Sequence, residues 1–177
     1  MTEKQKEPWL NYLALTTVIL AVCATLSTFK GGAYSTRAVL AQSQASDNWS
    51  YYQAKSIKGY LYEMQKEKLE LELKEKKHKL PAAIIGEYEK KMESYTDKIK
   101  KYEAEKTKIQ EDARAYESVR NNSQKHSQTF GMAVIFLQIA ILLSSIAALL
   151  KKKAAWLLGL MTGLVGIYYF ATGFLLL

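Results

Sequence analysis

The sequence predicts an all-α membrane protein: three transmembrane helices, with a long antiparallel coiled-coil hairpin between the first and the second. Three observations predict it. Segments 9–29, 130–150 and 154–177 each run roughly 20 residues without Asp, Glu, Lys or Arg. A bilayer core of about 30 Å takes about 20 residues at about 1.5 Å each. The stretch of about 100 residues between the first two segments is dense in Lys, Glu, Tyr and Gln, and a single proline, Pro81, lies near its middle. The expected division is therefore a tail 1–8, a span 9–29, an extramembrane hairpin 30–129 turning near 79–82, a span 130–150, a basic loop 151–153 and a span 154–177.

The first span holds the only cysteine, Cys23. No intrachain disulfide can form, so the chain carries no signal of redox compartment. The run Leu20-Ala21-Val22-Cys23 is a poor lipoprotein cleavage site, because Val22 is bulky. The preceding Glu3, Glu7 and Pro8 suit a signal peptide poorly. The first span is expected to be a retained anchor.

Gly31-Gly32 follows that span, and two glycines there are expected to break or hinge the helix. Ser35 or Thr36 would cap the next helix. From there to Lys79 nothing stops a helix, and Leu80-Pro81 ends it. Pro81 suits the first turn of a return helix, which runs without proline to the second span. The return arm has a heptad. Ile85, Met92, Ile99, Lys106, Ala113 and Arg120 hold one position; Tyr88, Tyr95, Tyr102, Ile109, Tyr116 and Ser123 hold the other. The outbound arm offers Ile57, Leu61, Met64 and Leu71, plus Tyr62, Leu69 and Leu73. Its register is less regular. A tyrosine seam needs hydroxyl partners when buried. Tyr88, Tyr95, Tyr102 and Tyr116 are candidates for the seam of a homo-oligomer.

Lys151-Lys152-Lys153 separates the last two spans. The positive-inside rule puts this short loop, and with it the N-terminus, in the cytoplasm, and the hairpin on the opposite, periplasmic side. Lys30, Arg37, Arg120 and Lys125 flank the membrane on the hairpin side, but the rule weights short loops most. No span holds an ionisable side chain other than Cys23, which argues against a carboxylate-driven pump in one chain. Gly159, Gly163 and Gly166 in the third span permit close helix packing.

The net charge of +8 does not indicate nucleic acid. From Lys30 to Lys125 there are 20 basic and 15 acidic residues, net +5, with the signs interleaved. Interleaving marks a solvated helical surface, not a phosphate-binding face.

The blocks Leu13-Ala14-Leu15-Thr16-Thr17, Ser27-Thr28-Phe29-Lys30-Gly31-Gly32-Ala33-Tyr34-Ser35-Thr36-Arg37 and Tyr52-Gln53-Ala54-Lys55-Ser56-Ile57-Lys58 resemble one bacterial membrane-protein family. So does Ser144-Ser145-Ile146-Ala147-Ala148-Leu149-Leu150-Lys151-Lys152-Lys153. That family is catalogued as a domain of unknown function. The resemblance covers nearly the whole chain and implies a bacterial inner membrane. It implies no activity, cofactor or catalytic residue.

Candidate chemistry is sparse. His78 and His126 lie far apart, without ligand spacing to Cys or a carboxylate, so no metal site is expected. No phosphate loop or nucleophile elbow appears. Lys30, Arg37 and Trp49 are candidates for lipid-headgroup contact. The apolar tip Leu80, Ala82, Ala83, Ile84 and Ile85 is a candidate docking point for a protein partner. The expectation is a non-enzymatic oligomeric membrane scaffold or accessory protein, without cofactor. The alternative is a pore-forming or transporter subunit whose pathway exists only in the oligomer. An apolar or a polar stripe on the oligomer axis separates the two.

Overall fold

The computed structural model describes residues 8–175 and is all-helical. The expected tail with Lys4 and Lys6, and the end of the third span at 176–177, lie outside the described residues. Helix α1 spans Pro8–Lys76 and α2 spans Ala82–Leu150, each of 69 residues; α3 spans Lys153–Leu175, 23 residues. Each contains a stretch long and apolar enough to cross a membrane.

Pro8 opens α1, where its fixed φ suits the first turn and its missing N–H costs nothing. The glycine hinge is corrected: α1 continues through Gly31 and Gly32, and Ser35 and Thr36 lie inside it rather than capping a new helix. The reason is a close approach of α2. A Cβ on Gly31 would meet Phe130 Cβ at 3.2 Å, and the Ser127 hydroxyl donates to the Gly31 carbonyl at 3.1 Å. Tertiary packing of this kind overrides the roughly 1 kcal/mol by which glycine disfavours a helix.

Past Lys76 the chain turns. The Lys79 N–H donates to the Lys76 carbonyl at 2.8 Å, and the Pro81 carbonyl accepts from Ile84 and Ile85 at 3.0 and 3.2 Å. Helix α1 thus stops at Lys76, three residues short of the expected Lys79, and Pro81 caps the next helix. The α2–α3 turn is tighter. Lys151 takes the left-handed conformation, φ 53°, and the Lys152 N–H donates to the Ala147 carbonyl at 3.2 Å. This is a Schellman stop with lysine where glycine is usual.

The helices build two compact units, Met1–Leu40 with Val119–Leu177, and Ala41–Ser118. In the first, α2 turns Phe130, Ala133, Leu137, Ala140, Ser144 and Ala147 inward at alternating three- and four-residue steps. Leu20 and Ala24 of α1 pack on its middle; Trp9 and Leu13 pack on Ala147, with Trp156 of α3 against them. On α3, Gly159, Gly163, Gly166 and Gly173 are buried. A Cβ on Gly166 would lie 2.7 Å from Leu137 Cγ, and one on Gly159 3.1 Å from the Ala140 carbonyl oxygen. Glycines at these positions let the helix backbones approach this closely.

In the second unit, contacts pair α1 with α2 so that one partner's number falls as the other's rises: Trp49 with Glu117, Lys55 with Glu105, Tyr62 with Tyr95 and Tyr102, Glu72 with Tyr88. Ala41, Ala45, Ile109 and Ala113 form a small apolar end. The outbound seam differs from expectation in part. Tyr62, Leu69 and Leu73 are half-buried, but Ile57, Leu61, Met64 and Leu71 are 59, 49, 64 and 61% exposed. The inward stripe is Tyr52, Lys55, Gly59, Tyr62, Lys66, Leu69 and Leu73. The facing tyrosines decide this. Their rings need room, which Gly59 leaves, and their faces attract cations, which Lys55 provides and an aliphatic stripe does not.

Candidate functional site

The centre of the second unit is a polar seam built by lysines and tyrosines. Lys55 Nζ lies 2.6 Å from Glu105 Oε2 and sits over the rings of Tyr51 and Tyr102, 5.1 and 5.2 Å from their centroids. Lys106 is 8% exposed; its Nζ donates to Glu103 at 2.6 Å and lies 5.5 and 5.8 Å from the Tyr52 and Tyr60 rings. The two lysines stand on opposite helices, each with one carboxylate and two aromatic faces. That pairing lets ammonium groups occupy seam positions without a bare buried charge. The Glu105 carboxylate, then Tyr51, raises the Lys55 pKa; Lys55 in turn lowers that of Glu105. Glu103 raises Lys106. These groups are mutually satisfied and stay charged near neutrality, which suits a register-setting layer better than proton transfer.

A second cluster lies in the first unit. His126 is 6% exposed, and its Nδ1 lies 2.9 Å from the Gly173 carbonyl oxygen. Its ring stacks on Tyr34 at 4.3 Å between centroids, and Lys30 Nζ lies 5.8 Å over the Phe174 ring. The last carbonyls of α3 have no partner within their own helix, so an imidazole N–H and a nearby cation suit that end. Beside this cluster, Ser27, Thr28, Gly31, Gly32, Ser35, Ser127, Gly131 and Val134 line an open groove of about 360 Å³. Ser27 and Thr28 already donate to carbonyls of their own helix.

The sequence-derived candidates distribute as follows. Lys30 and Arg37 are exposed and seven residues apart on α1. The Trp49 indole N–H donates to Glu117 at 3.0 Å, and its ring meets Tyr52 edge-on. Tyr88, Tyr95, Tyr102 and Tyr116 are half-buried. Tyr95 and Tyr102 pack on Tyr62, and the Tyr88 hydroxyl donates to Glu72 at 3.2 Å. Tyr88, Tyr95 and Tyr102 thus meet residues of the chain's own α1. Gly159, Gly163 and Gly166 sit in the α3 packing described above. At the tip, Leu80 and Ile85 are half-buried while Ala82, Ala83 and Ile84 are exposed.

Sequence reasoning missed the lysine cages. Lys106 stands on a heptad position of the return arm, but its aromatic and carboxylate partners were not foreseen, and Lys55 lies on none of the outbound positions read from the sequence. It also missed His126, whose role depends on α3 returning to it. His78 is exposed, and among the described residues no three of His, Cys, Asp and Glu gather as metal ligands.

A family model described as Domain of unknown function (DUF4337) matches residues 9–176. No curated protein and no solved structure matches the chain.

Proposed function

The chain belongs to the family of the Domain of unknown function (DUF4337), and from the contrast between its two units we propose that it is a non-enzymatic, oligomeric membrane scaffold or accessory protein. The first unit is the membrane part. Residues 8–40 and 119–175 contain no Asp or Glu, and the exposed side chains of its three apolar stretches are largely aliphatic. The second unit is an antiparallel coiled-coil hairpin in water, with 16 basic and 15 acidic residues between Ala41 and Ser118.

One observation carries the scaffold reading. The hairpin seam is closed internally by tyrosine, lysine and glutamate, yet Ile57, Leu61, Met64 and Leu71 lie exposed on the outer face of α1 at four-, three- and seven-residue steps. A solvated hairpin has no need of a second aliphatic stripe, and such a stripe on a charged helix is a docking face. Lys30 and Arg37, with their exposed charges, are the lipid-headgroup contacts in this reading.

The mass of the detergent-extracted particle tests it. A multimer is the expected result; a monomer would remove the scaffold reading. The groove of Gly32, Gly131, Ser35 and Ser127 favours a second reading, a pore or transporter subunit. Ion or solute flux into vesicles carrying the purified protein would select that reading instead.

A further inference from the structure

The second span presents an outward face on which one residue does not belong in lipid. Gly131, Ile135, Gln138, Leu142, Ser145 and Leu149 are all exposed and follow one another at four- and three-residue steps, so they form a single seam along α2. Gln138 stands eight residues from Phe130 and twelve from Leu150, roughly 12 Å and 18 Å along the helix at about 1.5 Å per residue. A glutamine side chain cannot reach either end of a 30 Å hydrocarbon core from there. Its amide has no hydrogen-bond partner among the described residues. The Ser145 hydroxyl on the same face is satisfied by the Ile141 carbonyl at 2.9 Å.

We propose that this face of α2 is covered by the same face of a second copy of the chain, with the two Gln138 amides hydrogen-bonded to each other across the dimer axis. Copies inserted in one membrane run parallel, so a two-fold axis along the membrane normal brings position 138 against itself. An amide is both donor and acceptor, and an identical residue is therefore a complete partner. Gly131 independently fits a helix crossing. A Cβ there would meet nothing within 4 Å in its own chain, so its glycine is not required by internal packing and leaves the backbone open to a neighbour. The inference rests on the oligomeric membrane reading and adds the partner, the face and the residue.

In a Cys23→Ser background, cysteines at positions 131, 138 and 145 are introduced one at a time, beside Ile139→Cys and Ile146→Cys on the flank of that exposed face. Membranes are oxidised with copper phenanthroline and the products resolved by mass. Disulfide dimers at 131, 138 and 145 but not at 139 or 146 are expected. In purified protein, Gln138→Leu should weaken self-association roughly tenfold, as one lost interhelical hydrogen-bond pair would. Gln138→Asn should recover most of it. Cross-linking at 139 and 146 instead, or an association constant unchanged in Gln138→Leu, would overturn the proposal while leaving the scaffold reading intact. A monomeric particle would overturn both.

Discussion

Gly166 shows how little space separates α2 and α3. An added methyl would lie 2.7 Å from Leu137 Cγ and 3.0 Å from the Leu137 backbone nitrogen, so α2 and α3 must part to admit it. Gly166→Ala should cost about 1–3 kcal/mol by overpacking. Gly32→Ala meets nothing within 4 Å and should leave thermal stability in detergent unchanged or slightly raised. Equal effects of the two substitutions would contradict the packing described. Glu105 gives a prediction in pH. Lys55 holds its pKa below the ordinary carboxylate value, so its contribution is complete above that value and is lost as pH falls through the lower folded one. Lys55 is raised from 10.5, so its contribution is complete below that value and is lost only as pH rises past it. Resistance of the full chain to chemical denaturation should fall on acidification below the ordinary carboxylate range, and Glu105→Gln should flatten both that limb and the Lys55 alkaline limb, because Glu105 is also the main cause of the raised Lys55 pKa.

At the level of helices, the hairpin has two faces with different tasks. The inward face of α2 carries tyrosines that meet Tyr62 and Glu72; the outward face of α1 carries Ile57, Leu61 and Met64. Replacing Tyr95 and Tyr102 with Glu should destabilise the hairpin itself, by about 1–3 kcal/mol per site, and lower its protection from proteolysis near Gly59. Replacing Ile57 and Leu61 with Gln should shift stability by less than about 0.5 kcal/mol, as surface changes do, and lower the particle mass only if that stripe joins subunits. Loss of hairpin stability in the second variant and not in the first would invert the assignment of faces.

For the whole chain, orientation is the outstanding functional variable. Basic residues flank the apolar stretches, with Lys30, Arg37, Arg120 and Lys125 at one end and Lys151 to Lys153 at the other. We propose that the short three-lysine turn decides, because long loops translocate largely regardless of charge. Cysteines at positions 152 and 78, each in a Cys23→Ser background, should separate under a membrane-impermeant thiol reagent applied to intact cells after opening any outer barrier. Labelling at 78 and not at 152 is expected. Labelling at 152 alone would turn the protein over and place the hairpin in the cytoplasm.

The chain's own order of residues determined the helical class, the three apolar stretches, the turn at Leu80-Pro81 and family membership. All of these rest on local properties: hydropathy over a helix length, the backbone limits of proline, and contiguous motif blocks. The tertiary structure decided what depends on facing partners. It kept α1 continuous past Gly31 because Phe130 and Ser127 press on it. It turned Lys55 and Tyr62 inward and Leu61 outward because the tyrosines of α2 demand cations and ring space. It closed His126 on Gly173, 47 residues away. It left Gln138 on a bare face because α1 and α3 cover the other side of α2. A heptad read along one helix gives the candidate seams, and only the neighbouring helix selects which of them is buried.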